Sequence, residues 1–351
     1  MKTTYFSTFI SGAQEIVRRA LQKRSRVKII DLLDGLVVYQ TDYNEKDLRE
    51  IRFFNNTFRL LGSYQNVHDF LDLIKAVTKD KSLGGTLKNL FTTPTTYRLF
   101  TSEENRSINP GLPALETLEQ KISQNRYLKT DFKKYQQEFW LIWRRGNQGF
   151  LGARITGKKP LAKHLKAGQL RPELAHLICL ASRPGPQEVI LDPFAGQGGL
   201  LTERLRAFPF KKALALEEDE KLANDLKGKI FRAYPKEKVQ VRRESALEMG
   251  FLENNSIDKI ITDPPWGHFK KLDQPEEFYT QMLQEFYRVL KSRGLAVILM
   301  GENFQFDQIL QSMTTKDKNN QADPLPSPWK ISAQHHLLVS GRKANLWILK
   351  K

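Results

Sequence analysis

Three short apolar runs in the second half of the chain each end in an acid and lead straight into a turn. They are Val189-Ile190-Leu191-Asp192 before Pro193-Phe194-Ala195-Gly196-Gln197-Gly198-Gly199, Lys212-Ala213-Leu214-Ala215-Leu216 before Glu217-Glu218-Asp219, and Ile257-Asp258-Lys259-Ile260-Ile261-Thr262 before Asp263-Pro264-Pro265-Trp266-Gly267. Runs of this kind read as buried strands, and a helix-like stretch, Leu200 to Phe208, follows the first turn. A chain built this way folds as an α/β sheet, and open α/β sheets bind their ligands at the carboxyl ends of the strands. Each motif has a structural explanation when read singly, because prolines end strands and glycines permit tight turns. Three strand-ending acids in one half of a chain specify a site.

The residue types say what the site would hold. S-adenosylmethionine presents an adenine, a ribose diol, a carboxylate with an ammonium, and a sulfonium, so its pocket needs close backbone approach in one place and carboxylates in others. Phe194, Gly196, Gly198 and Gly199 form the turn, with glycines lacking a Cβ that would keep a cofactor away, and Asp192 is placed for the ammonium. Glu217 is placed for the ribose hydroxyls. The spacing is not that of the G-x-G-x-x-G dinucleotide turn.

Asp263, Pro264, Pro265 and Trp266 suggest the acceptor. The lone pair of an exocyclic base amine is delocalised into the ring, so catalysis must localise that pair and align it. The Asp263 carboxylate and the Pro264 carbonyl would accept the two amine hydrogens, Trp266 would stack on the base, and the prolines would hold the geometry stiff. Such a base must be single-stranded or flipped.

From about Lys163 to Lys351 the chain resembles the class I S-adenosylmethionine-dependent amino-methyltransferases. Asp192 to Gly199 matches their cofactor loop, and Asp263 to Trp266 their (Asp/Asn)-Pro-Pro-aromatic catalytic loop. The resemblance implies a Rossmann-like domain with a seven-stranded mixed sheet. Pro275 to Gly294 would be the helix after the catalytic strand, Leu295 to Met300 the next strand, and Trp329 to Val339 with Ala344 to Leu349 the closing hairpin. Trp266 stands where the family commonly has Tyr, and Ala195 and Gln197 to Gly199 stand where it commonly has Cys and Ser-Gly-Thr. The acid that meets the adenine amine in the family falls near Ser245, so Ser245 or Glu244 takes that place here.

The first half reads as two small α+β modules. A strand Thr4 to Phe9, a helix through Ile16 to Leu21, strands Val27 to Leu33 and Leu36 to Thr41 joined by Asp34-Gly35, a helix near Leu48 to Asn55 and a strand Thr57 to Leu61 give a ferredoxin-like unit. Helices Asn66 to Val77 and Leu112 to Tyr127 and strands Tyr97 to Phe100, Glu138 to Arg144 and Gly149 to Ile155 give the second. This arrangement resembles the ferredoxin-like plus THUMP pair that precedes the catalytic domain of tRNA guanine-N2 methyltransferases. So does the connector, with its Leu170-Arg171-Pro172-Glu173-Leu174-Ala175. The expected division is 1–62 ferredoxin-like, 63–156 THUMP-like, 157–172 a basic linker, and 173–351 methyltransferase.

The net charge is +17, spread as +8 over residues 1–150 and +9 over 151–351. Distributed Lys and Arg suit a polyanion, because phosphate neutralisation releases counterions. Arg144, Arg145, Arg154, Lys158 and Lys159 are the expected phosphate contacts. The single cysteine, Cys179, excludes an internal disulfide and a multi-cysteine zinc site, and no metal is expected. No run is long and apolar enough to span a bilayer, and the N-terminus lacks a secretory signal, so a cytoplasmic monomer is expected.

The expected function is S-adenosylmethionine-dependent methylation of guanine N2 in tRNA or another structured RNA. The catalytic loop by itself does not choose the base, since adenine N6 and cytosine N4 pose the same two-hydrogen problem. Ribosomal RNA, DNA and a non-catalytic RNA-binding scaffold remain the alternatives.

Overall fold

The computed structural model describes residues 2–104, 106–157, 169–267, 272–314, 329–339 and 341–351. The chain divides into two compact units, one of residues 1–9 with 21–159 and one of residues 10–20 with 160–351.

The elements of the first unit run β1 (Thr3–Thr8), β2 (Val27–Leu33), β3 (Leu36–Thr41), α2 (Glu45–Arg49), β4 (Asn56–Gln65), α3 (Phe70–Lys79), α4 (Ser82–Leu90), β5 (Thr95–Glu103), β6 (Arg106–Ser107), α5 (Leu112–Ile122), β7 (Leu128–Thr130), β8 (Gln137–Arg144) and β9 (Gln148–Arg154). Helix α1 (Gln14–Gln22) lies between β1 and β2 in sequence. The strands form one nine-stranded sheet in the order β2-β3-β1-β4-β9-β8-β5-β6, with β7 beside β5. The expected boundary at 62/63 therefore falls inside β4, which pairs with β1 through Asn56 to Arg59 and with β9 through Phe58 to Gln65. The two expected α+β modules share a sheet through this one strand. Helices α3 and α5 cover it, burying Leu73, Val77, Leu118 and Ile122 with Tyr97, Phe139 and Leu141 of β5 and β8.

The second unit holds α6 (Pro172–Ala181), β10 (Val189–Asp192), α7 (Gly199–Ala207), β11 (Lys212–Leu216), α8 (Glu220–Ile230), β12 (Val239–Arg242), β13 (Ile257–Thr262), α9 (Pro275–Val289), β14 (Leu290–Gly301), α10 (Phe304–Ser312), β15 (Lys330–Val339) and β16 (Arg342–Lys350). Its seven strands lie in the order β12-β11-β10-β13-β14-β16-β15. Strands β10 to β14 run parallel, and β16 is antiparallel to both neighbours. Helix α9 ends five residues before the expected Gly294, and β14 begins at once at Leu290, with Arg293 at φ +66° making the bend. Tyr279, Met282, Leu283 and Phe286 of α9 pack on Ile260, Ala296 and Ile298, which fixes β13 against its neighbour β14.

Residues 10–20 cluster with this second unit. The Leu338 N–H donates to Ser11 O at 3.4 Å, and a Cβ on Gly12, which has φ +88°, would come within 1.7 Å of His336 O. Residues Ser11 and Gly12 thus pack on the β15–β16 hairpin of the seven-stranded sheet.

Candidate active site

The parallel strands β10, β11 and β13 deliver their terminal acids to the same sheet edge, as the apolar runs require. Asp192 ends β10 and is 3 % exposed. Its Oδ1 accepts no hydrogen bond from the described residues. Burial, with the charge of Asp263 adding to it, pushes the carboxyl up to about 8, against the pull of the Phe194 N–H. An apolar core would not keep an orphaned carboxylate, and a cationic ligand group reaching past Pro193, which lines the neighbouring cavity, would satisfy it.

The turn after β10 is tied to the end of β11. Gly196, at φ +51°, donates its N–H to Glu217 Oε2 at 2.9 Å, while Glu217 Oε1 accepts from Asp219 N at 2.9 Å. Glu217 is therefore fixed in place with lone pairs left for a diol. Asp219 caps α8 by accepting from Leu222 N at 2.8 Å. The glycines divide their roles in a way the spacing does not reveal. Gly196 lines the cavity with open space where a Cβ would be, whereas a Cβ on Gly198 would lie 2.2 Å from Leu226 Cδ1 of α8. Gly198, expected to make room for the cofactor, instead makes room for a helix, and its φ of +74° turns the chain into α7.

Asp263, Pro264, Pro265 and Trp266 follow β13 and line the same cavity of about 500 Å³ as Phe194, Gly196 and Glu217. Burial pushes the Asp263 carboxyl up to about 7, with the Trp266 indole opposing it. Trp266 Nε1 donates to Asp263 Oδ1 at 2.9 Å and to Leu299 O at 3.3 Å. The indole is packed against the core, and a Cβ on Gly301 would come within 2.5 Å of its Cε3.

The adenine end differs from expectation. Glu244 is exposed, and the Ser245 hydroxyl accepts from Leu247 N at 3.2 Å; Ala246 is the residue of this segment that lines the cavity. Phe278 of α9 and Val339 and Arg342 of the closing hairpin also line it, none singled out from sequence. The hairpin residues carried one usable signal, since a turn between the last two strands ends at the same sheet edge.

The expected phosphate contacts are in the first unit and separate into different environments. Arg144 is 2 % exposed, with Glu104 Oε2 at 3.4 Å and Gly35 O at 3.4 Å as partners, so it is a buried structural cation and no phosphate reaches it. Arg154 is held by Glu138 at 2.7 Å with little exposure. Arg145 is exposed, and Lys158 and Lys159 lie outside the described residues. Among the described residues no helix is long and apolar enough to cross a membrane.

Residues 162–327 match the model of the RMKL-like methyltransferase domain. That stretch contains Asp192, Glu217 and the Asp263 to Trp266 loop. S-adenosylmethionine is the cofactor of this class of domain, and the donor set above fits it: a clamped acid and an open glycine on one cavity, and an orphaned buried acid next in sequence to its Pro193 wall. The U6 snRNA (guanine-N(2))-methyltransferase THUMPD2 of Bos taurus is 28% identical over 146 residues, 41% of this chain and 28% of that protein. The tRNA (guanine(10)-N2)-dimethyltransferase of Methanocaldococcus jannaschii is 26% identical over 158 residues, 44% of each chain. The matched stretch thus covers less than half the length of either curated relative. Among solved structures, TrmN from Thermus thermophilus superposes over 100% of both chains with a TM-score of 0.73 at 15% identity, a likeness of fold.

Proposed function

We propose that the protein is an S-adenosylmethionine-dependent RNA methyltransferase that modifies N2 of a guanine in tRNA, acting in the cytoplasm as a monomer. The observation that carries this reading is the convergence of Phe194, Gly196, Glu217 and the Asp263 to Trp266 loop on one cavity, with Asp192 buried directly behind its wall at Pro193. S-adenosylmethionine supplies an electrophilic methyl on a sulfonium. Asp192 would hold the ammonium beside it, Glu217 the ribose diol, and Phe194 with Ala246 would flank the adenine. Asp263 and the Pro264 carbonyl would take the two amine hydrogens of the base, aiming its lone pair into the cavity. The choice of guanine N2 draws support from the two relatives named above, both guanine-N2 methyltransferases acting on RNA.

In this reading residues 1–62 are a ferredoxin-like module and 63–156 a THUMP-like module, and the unit they form supplies RNA affinity. The order β1-α1-β2-β3-α2-β4 with the sheet order β2-β3-β1-β4 supports the first assignment. Exposed Arg145, with Lys158 and Lys159, would meet phosphates. Nucleoside mass spectrometry of tRNA and rRNA from cells lacking the protein tests the proposal: N2-methylguanosine should fall in tRNA and return with the wild-type chain. Loss of N6-methyladenine or N4-methylcytosine instead would overturn the assignment of the base, and an unchanged nucleoside profile would favour an RNA-binding scaffold.

A further inference from the structure

The Asp263 to Trp266 loop offers more acceptors than two amine hydrogens need, and two side chains outside the reacting pair take up the surplus. At one end, Trp266 Nε1 donates to Asp263 Oδ1 at 2.9 Å. At the other, Tyr279 Oη lies 3.2 Å from Pro265 O, and Asn303 Nδ2 lies 3.0 Å from the same phenol oxygen. The directions are fixed by chemistry. A carbonyl only accepts, so the Tyr279 O–H donates to Pro265. Asn303 Oδ1 accepts from Phe306 N at 3.2 Å, which orients its amide so that its NH2 faces Tyr279. Tyr279 is buried, and burial raises its pKa, so it stays a donor.

We propose that Trp266 and Tyr279 are positioning residues that occupy Asp263 Oδ1 and Pro265 O, leaving Asp263 Oδ2 and Pro264 O as the pair of acceptors that an exocyclic amine meets. Neither of these two atoms accepts a hydrogen bond from the described residues. The reading makes Trp266 more than a base-stacking wall. Its indole is held against Gly301 and its N–H is used inside the loop, which a tyrosine or phenylalanine at this position would not reproduce. It also says where a proton on Asp263 would go: with Oδ1 engaged by the indole, the proton sits on Oδ2 and converts the amine's acceptor into a donor. Glu217, Glu218, Asp219 and Arg342 are the other charged groups lining the cavity, and the buried Asp192 carboxyl interacts electrostatically with Asp263.

The proposal rests on the methyltransferase reading, and its test keeps the two apart. In the full-length chain, the Asp263 carboxyl is followed by carbon NMR against pH, which needs no substrate. Trp266→Phe should raise its pKa by about one unit, and Gly301→Ala, which displaces the indole without removing it, should do the same. An unmoved titration in both variants would overturn the Trp266 half. With unmethylated tRNA and S-adenosylmethionine, Tyr279→Phe should lower kcat about tenfold or more while KM and the calorimetric cofactor affinity stay within twofold. Trp266→Phe should in addition move the acid limb of the rate profile upward with the NMR shift. Wild-type kcat in Tyr279→Phe would overturn the Tyr279 half. A wild-type chain that binds the cofactor and methylates no RNA, with the NMR shifts as expected, would sink the function and leave the loop geometry standing.

Discussion

Cofactor affinity should depend on pH through Asp192, and the structure sets the size of the effect. In the free protein the Asp192 carboxyl is raised to about 8, by burial first and by neighbouring Asp263 as well, so it is largely protonated below neutral pH. A cationic ligand needs the carboxylate. Binding therefore requires a proton to leave, and affinity is lost as pH falls through the Asp192 pKa by a factor of about 1 + 10^(pKa − pH). Between pH 9 and pH 6 this amounts to about a hundredfold weakening, ~2.7 kcal/mol. Asp192→Asn should abolish that dependence. At pH 9 it should bind about 1.5–3 kcal/mol more weakly than wild type, the worth of a charge-assisted hydrogen bond, while at pH 6 the two proteins converge. Calorimetry at pH 6, 7, 8 and 9 in two buffers of different ionisation enthalpy gives both the affinities and the protons released, about one per cofactor near pH 7. Asp263→Asn removes the negative neighbour and should move the wild-type limb to lower pH. A wild-type affinity that is flat from pH 6 to 9, or an Asp192→Asn protein with the same slope, would refute the assignment of Asp192 to the cation. The same shift has a stability sign. A carboxyl whose folded pKa is raised favours the cofactor-free fold at low pH, and that contribution is lost as pH rises toward 8.

Two further expectations follow from side chains whose roles the fold reassigns. Gly198→Ala places a methyl against Leu226 at a left-handed backbone position, so it should lower stability by roughly 2–4 kcal/mol, read by urea denaturation. Affinity of the folded fraction for S-adenosylmethionine should fall far less than in Asp192→Ala. Arg144→Ala should destabilise the protein by about 2–5 kcal/mol with tRNA affinity of the folded protein unchanged, whereas Arg145→Ala should weaken tRNA binding and flatten its salt dependence with little change in melting temperature. Equal losses of RNA affinity in the two variants would contradict the burial of Arg144.

The strand-ending acids were legible in the sequence because a strand inside a parallel sheet must be apolar along its length, and its first polar residue marks where the sheet edge begins. Asp192, Glu217 and Asp263 could be named on that ground, and so could the helices and strands whose periodicity repeats over several turns. The limits of β2 and β3 were read to the residue, since Asp34-Gly35 leaves one place for the turn. Tertiary structure decided what those local patterns meet. The pairing of β4 with β9, the contact of Gly198 with Leu226, the burial of Arg144 behind Glu104 and the reach of Tyr279 to Pro265 each join residues from 14 to about 100 positions apart. An arginine in a strand or a glycine in a turn carries the same local signal whether it faces phosphate, cofactor or core. The neighbour that chooses among them is brought up by packing, and packing is a property of the whole fold.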